Sequence, residues 1–391
     1  MEVTPGYKQT EVGVTPSEWE TSRLQDIVGR NSPIAYGVLK PGDYVYNGVP
    51  LLQIRDVIHG EINVDELHRI SRQLDRQYSR TRLGGGELVV SLVGTIGRVA
   101  IIPMTLAGAN LHRNLARVHV SQKHDSTFVF YYLNSDVAQA AIKLTTFGST
   151  QALLNLADLR GLMIVVPPLP EQRAIAKALC DVDALLGGLD RLIAKKRDLK
   201  QAAMQQLLTG RTRLPDSHGK WEVKRLGDIS RFLAGTYLAQ DDYRDGEYEI
   251  QGAGSVMGRH ATANFPEPVS VIGRVGTVGR PRFMPKGCWV NSNAAAIAAN
   301  AANSTPEFVH LLLLTVDWSK ATSVTAQPFL VVPALIGMEF SVPPRPEQAT
   351  IATVLFDMDA ELSALEARRN KTRNLKQAIM QELLTGRTRL A

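Results

Sequence analysis

The chain has 391 residues, of which 44% are hydrophobic and 21% charged, with a formal net charge of +6 and an isoelectric point near 9.3. That length exceeds one compact core and calls for two or three domains. The composition is ordinary for a soluble globular protein, and the longest apolar runs, such as Phe308–Leu314, are far short of the ~20 residues of a membrane helix. The basic balance favours a polyanionic partner only mildly, and no leader-like segment precedes Trp19, which points to the cytoplasm. Cys180 and Cys288 have no metal-ligand spacing and read as reduced packing residues.

Two segments rich in Val, Ile, Gly and short turn signals, Trp19–Val166 and Trp221–Val342, predict mixed β structure with a few helices. They correspond loosely. Trp19-Glu20-x-x-Arg23-Leu24-x-Asp26-Ile27 matches Trp221-Glu222-x-x-Arg225-Leu226-x-Asp228-Ile229. Val93-Gly-Thr-Ile-Gly-Arg98 matches Val275-Gly-Thr-Val-Gly-Arg280, and a short helix at Phe128–Leu133 is mirrored at Phe308–Leu313.

Each segment runs into a far better preserved repeat. Pro167–Leu214 aligns without a gap on Pro343–Leu390, at a constant offset of 176, with 29 identities in 48 positions. A duplication of this quality settles the architecture ahead of any local reading. Each copy opens with Pro-Pro-x-Pro-Glu-Gln. Pro170 and Pro346 suit a first helical turn, and Glu171 and Glu347 complement the positive end of the helix dipole. Apolar residues follow at spacings of three and four: Ile175, Leu179, Val182, Leu186, Leu189 and Ile193, then Ile351, Leu355, Met358, Leu362 and Leu365. That is a coiled-coil seam. It breaks at Lys196 in one copy and at Arg369 and Thr372 in the other, and resumes at Leu199 and Leu375. Gly210 and Gly386 are the expected C-terminal caps. A helix from Glu171 to Thr209 would be roughly 58 Å long at ~1.5 Å per residue.

The four expected parts are therefore 1–166, 167–214, 215–342 and 343–391. The fold class is α+β, or mixed: two globular α/β domains joined by two long antiparallel coiled-coil helices. The linker before Trp19 completes a cyclic, pseudo-twofold arrangement that brings the termini together. The alternative for the repeats is a separate helix in each domain, covering its own sheet.

The PPLPEQ opening, the long helix, the LKQAxMQxLLTGRTRL ending and the Trp-Glu-x-x-Arg-Leu-x-Asp-Ile starts together resemble the specificity subunit of type I restriction–modification enzymes. The resemblance covers essentially the whole chain, twice over. It implies that the globular segments are target recognition domains, each reading one half of a split DNA site. It also implies that the helices space the domains and dock two modification (methyltransferase) subunits. The partners, including restriction subunits, would carry S-adenosylmethionine, ATP and magnesium; this chain would bind none of them. Helices of this length are ample for two reading units one turn of DNA apart, roughly 34 Å.

No catalytic constellation is visible: the chain has no Gly-rich loop ending in Gly-Lys-Ser/Thr, no His-Glu-x-x-His pair and no methyltransferase-type Asn/Asp-Pro-Pro-aromatic motif. We expect neither a catalytic nor a metal site. The alternative function is a pair of carbohydrate- or peptide-binding domains on a stalk, which would want aromatic platforms, but aromatics are only 6% of the chain.

Candidate DNA contacts come from polar loops that match between halves: Arg98 and Arg280 after the Gly-Thr-x-Gly turns; Asn110, His112 and Arg113 with Asn291 and Asn293; Ser149, Thr150 and Gln151 with Thr325 and Gln327. Tight hairpins or Asn-stabilised turns would explain the same clusters. Spacer and docking residues are expected along the seam at Leu179, Leu186, Leu189, Leu199, Leu355, Leu362, Leu365 and Leu375. The basic runs around Arg191–Lys200 and Arg368–Lys376 are either a solvated face, phosphate contacts over the unread gap, or part of the docking surface.

Overall fold

A computed structural model describes residues 5–30, 32–58, 60–145, 153–215 and 217–390. The chain divides into two units, Met1–Leu189 with Arg368–Ala391, and Asp190–Ala367. Each contains one globular segment and a stretch of both long helices, Leu169–Leu207 and Arg345–Thr385. The first helix has the expected 39 residues but starts two residues earlier than expected. Gly210 and Gly386, at φ 70 and 74, cap the ends as expected.

The globular segments share one topology although their sequences diverge. In the first unit an antiparallel sheet runs Val99–Ile101, Leu88–Ser91, Leu115–Val118, Ala35–Tyr36. In the second the order is Gly279–Met284, Val269–Gly273, Ala294–Ala299, Ser230–Ala234. A three-stranded sheet with one parallel pair accompanies each: Asn110–Leu111 beside Val49–Leu52, and Trp289–Val290 beside Tyr248–Gln251. Leu88–Ser91 and Val269–Gly273 are buried at every position, as their β-branched and aliphatic residues favour. The mirrored short helices are Ser126–Leu133 and Pro306–Leu314.

A second core lies under each sheet, and both helices contribute to it. In the first unit Ile175 and Leu179, early in the first helix, pack with Phe128, Tyr132 and with Leu383 and Leu384 at the end of the second. In the second unit Ile351 and Leu355 pack with Phe308, Leu312 and with Leu207 and Leu208. Each helix thus covers the sheet of its own domain with its first turns, as the single-helix alternative required, and the last turns of the other copy pack there too.

The repeat is kept nearly verbatim because its polar residues form the same clasp in each unit. Glu171 accepts a hydrogen bond from the Trp19 indole at 3.0 Å and two from the Arg389 guanidinium at 2.6 and 2.9 Å. Glu347 takes the Trp221 indole at 3.1 Å and Arg213 at 3.0 and 2.7 Å. The bonds to Glu171 push the Arg389 pKa upward. The carboxylate expected to serve a helix dipole is therefore mainly an internal anchor. The neighbouring Gln172 accepts from the Asp125 amide and donates to the Pro167 carbonyl. Gln348 likewise accepts from the Thr305 amide and donates to the Pro343 carbonyl. Either Gln ties a long helix to the start of a short one. Gly386 is required twice over: its φ is positive, and a Cβ there would lie 2.5 Å from Pro16 and 3.1 Å from the Trp19 ring.

The break at Lys196 has a physical cause. In the second unit Lys196 pairs with Glu361 at 2.6 Å, Arg197 with Glu366, and Lys200 with Asp359. In the first, Lys376 pairs with Asp183 at 2.6 Å, the same pair one repeat on. Asp183 also accepts from the Tyr131 hydroxyl at 2.7 Å. Of the two basic runs, Lys196, Arg197, Lys200 and Lys376 thus face acids on the opposite helix segment.

Cys288 is buried, as expected of a packing residue; Cys180 is exposed, with its thiol 3.6 Å from the Tyr131 hydroxyl. Neither cysteine is in a disulfide.

His310 gives the second unit an acid limit. It is buried against the Phe283 and Phe356 rings, which also touch each other, and bonded to Ser270 Oγ at 3.1 Å. Burial lowers its pKa from 6.5 to about 4. Between those values the unfolded chain takes up a proton that the folded unit refuses, so stability is full above 6.5 and falls as the pH drops towards 4. The expected loss at pH 5 is about 2 kcal/mol. Urea unfolding at pH 7.5 and pH 5 should show it in the native protein, and His310→Gln should remove it. An equal acid shift in both proteins would exclude His310 as the source.

Candidate nucleic-acid interface

The Gly-Thr-x-Gly turns close the hairpin beside the central strand of each sheet. Gly97 and Gly279 sit at φ 75 and 79, where a side chain is strained. Arg98 then turns inward and donates to the Val57 carbonyl at 3.1 Å. Its counterpart Arg280 is exposed and adopts φ 52, the single non-glycine in that region among the described residues. The two matched arginines therefore differ in availability.

The Asn clusters also divide. Asn110 is fully buried. Its amide donates to Asp75 and to the Tyr78 carbonyl, and its oxygen accepts from Thr81 and the Leu111 amide. Asn291 is buried too, its oxygen accepting from the Ser292 amide at 2.6 Å and its amide donating to the Leu238 carbonyl. Both hold turns, and their donors are already used, so we remove them from the DNA-facing set. Arg113 and Asn293 are exposed. Half-buried His112 has its pKa lowered by burial, with Arg113 and His68 adding to the effect, and Nδ1 accepts from the Asn114 amide at 3.4 Å. It stays neutral near pH 7, which leaves Arg113 as the local charge.

Ser149, Thr150 and Gln151 lie outside the described residues. Their counterparts form an exposed loop whose ends meet: Ser323 donates its amide to the Phe329 carbonyl, Thr325 Oγ1 donates to the Gln327 carbonyl at 2.7 Å, and Val324 stands free at the tip. Gln327 is exposed. Beside Arg113 a cleft of about 500 Å³ opens, walled by Tyr36, Leu39, Val93, Asn114 and Leu153. The sequence reading missed it, because its walls come from four separate stretches.

Of the expected spacer residues, Leu179, Leu189, Leu355 and Leu362 are buried, and Leu186 and Leu365 half-buried. Leu199 and Leu375, one repeat apart, are 48% and 55% exposed. Among the described residues no group of three or more His, Cys, Asp or Glu could hold a metal, and no helix is long and apolar enough to cross a membrane.

Comparison with known proteins shows the family of the chain. The family model "Type I restriction modification DNA specificity domain" matches residues 16–194 and 218–373. This chain belongs to that family, and carries its domain twice. It is 27% identical over 200 residues to the type I restriction enzyme EcoBI specificity subunit of Escherichia coli, covering 50% of this chain and 42% of that protein. It is 24% identical to a Methanocaldococcus jannaschii protein assigned as the MjaX specificity subunit, over 98% of this chain and 97% of that one. In fold it is similar to the crystal structure of the type I restriction–modification S subunit from M. genitalium. The TM-score is 0.64 at 17% identity, over 98% of both chains. A chain from a structure addressing complex assembly and conformational transition of a type I R-M system has a TM-score of 0.57 at 16% identity, covering 95% of this chain and 99% of that one. These neighbours share its mixed α/β content and two domains.

Proposed function

We propose that this chain is the non-catalytic DNA-reading subunit of a cytoplasmic type I modification complex. Its parts are a first recognition domain at 1–166, a spacer helix at 167–214, a second recognition domain at 215–342 and a second spacer helix at 343–391. Each domain reads one half of a split site. The helices form an antiparallel, pseudo-twofold frame that sets the gap, and dock two modification subunits. S-adenosylmethionine belongs to those subunits; ATP and magnesium belong to restriction subunits, where present.

One observation carries this reading. The contacts that tie a domain to the frame recur residue for residue in both units: Trp19, Glu171 and Arg389 in one, Trp221, Glu347 and Arg213 in the other. The exposed loops, in contrast, differ freely. A constant mount with variable faces is what two readings on one ruler require. The docking part rests on Leu199 and Leu375: two leucines left in solvent at one repeat position suit two copies of one partner. Within the exposed set, Arg113, Arg280, Asn293, Thr325 and Gln327 are the contacts we assign to DNA, with Ser149, Thr150 and Gln151 as their sequence counterparts in the first domain.

The test exchanges residues 215–342 for the second domain of another family member and maps methylated adenines in DNA modified by the assembled complex. One half-sequence should change while the other half stays. A change in both halves, or in neither, would contradict the assignment.

A further inference from the structure

The backbone frame of the cleft beside Arg113 recurs in the second domain. Val93 bridges to Leu153 as Val275 bridges to Phe329. The Leu92 amide donates to the Asn114 carbonyl as the Arg274 amide donates to that of Asn293, at 2.8 and 2.9 Å. The Val38 amide reaches Leu111 as that of Thr236 reaches Val290. The residues before them, Gly37 and Gly235, approach so closely that a Cβ would strike the carbonyls of Leu111 and Asn291 at 1.8 and 2.1 Å. The frame of the cleft, Gly, Val and Asn, is thus constant.

What faces the opening is not constant. Where the first domain has Arg113, the second has Ser292; where the first has Leu92, the second has Arg274. Leu39 becomes Tyr237, which is 72% exposed. The arginine has moved to the neighbouring segment, just past the strand Val269–Gly273. Neither guanidinium makes a hydrogen bond or an ion pair among the described residues. Arg274 is held over the Phe232 ring at 5.9 Å, and Arg113 lies open at the cleft wall. An arginine fork kept free of carboxylates beside exposed apolar side chains has its donors available to an outside ligand. Two parallel donors match O6 and N7 of guanine in the major groove, and the apolar wall suits the thymine methyl or an adjoining base edge.

We infer that this cleft is where each recognition domain reads a guanine of duplex DNA, through Arg113 in the first domain and Arg274 in the second. This shift lets the two domains read guanine at different places in their half-sequences. The inference rests on the DNA-reading role proposed above and adds to it the base and the side chains.

The experiment maps methylated adenines in DNA modified by the complete complex carrying Arg113→Ala, Arg113→Gln, Arg274→Ala or Arg274→Lys. Either Arg113 change should relax one guanine position of one half-sequence by about tenfold or more, leaving the other half and the gap unchanged. The Arg274 variants should do the same in the opposite half. Lys keeps the stem on Phe232 and the charge but lacks the fork, so Arg274→Lys separates reading from folding. If the native complex marks no split site, the proposed function itself fails. If it marks one and the Arg113 variants leave every position as strict as before, this inference alone is overturned. A uniform loss across both halves would overturn it too, since that is the signature of a backbone contact.

Discussion

Arg389→Ala should be among the most damaging single changes in the protein, lowering the stability of the first unit by about 2–4 kcal/mol. Its partner Glu171 is buried, with a side chain only 6% exposed, and removal of the guanidinium leaves that carboxylate with the Trp19 indole alone. Stranding a buried charge costs about 3–5 kcal/mol, and the arginine's own 34% exposure reduces the figure. For a unit of this size the melting temperature should fall by about 5–15 °C. Glu171→Gln should be milder, because a neutral amide can still accept from Trp19 and strands no charge. Thermal unfolding of the three proteins checks the order. If Glu171→Gln were as damaging as Arg389→Ala, or both were silent, the clasp would not be what joins the end of the repeat to the first domain.

The clasp also shows what could and could not be seen in the sequence. The duplication, the helix lengths, the cap glycines and the mirrored short helices are legible because they depend on local periodicity and capping. That Glu171 answers Arg389 is not legible, because the pair is joined across 218 residues. One signal does exist: polar residues kept identical in both copies, where an exposed helix face would let them drift. The same signal marks Gln172 and Gln348. The break at Lys196 is not explained by the sequence, because Lys196 and Lys200 meet Glu361 and Asp359 from the other helix. The site was the least legible part. Asn110 and Asn291 have base-reading side chains by type, but burial commits their donors to turns. Arg274 is not legible because its sequence match is Leu92, and only strand pairing shows that the position adjoins the cleft frame.

The recurring clasp and the diverging clefts divide the labour of the chain. Free energy that does not depend on the target resides in the repeated residues, including the ion pairs Lys376–Asp183 and Lys200–Asp359. The residues that face outward from the sheets are released from that duty. A domain can then exchange its reading residues without loosening its mount.

Shortening both helices together should change the gap of the recognised site and nothing else. The matched segments 188–194 and 364–370 lie one repeat apart, and their removal keeps the clasps and the pairs Lys376–Asp183, Lys196–Glu361 and Lys200–Asp359. Seven residues are nearly two whole turns, so each helix resumes within ~20° of its former face. The loss of length is roughly 10 Å per helix, the span of about three base pairs.

Mapping the methylated adenines left by the complex that carries this double deletion therefore tests the ruler directly. We expect the same two half-sequences, separated by a gap shorter by up to about three base pairs. Methylation of the original site with its gap unchanged would contradict the account.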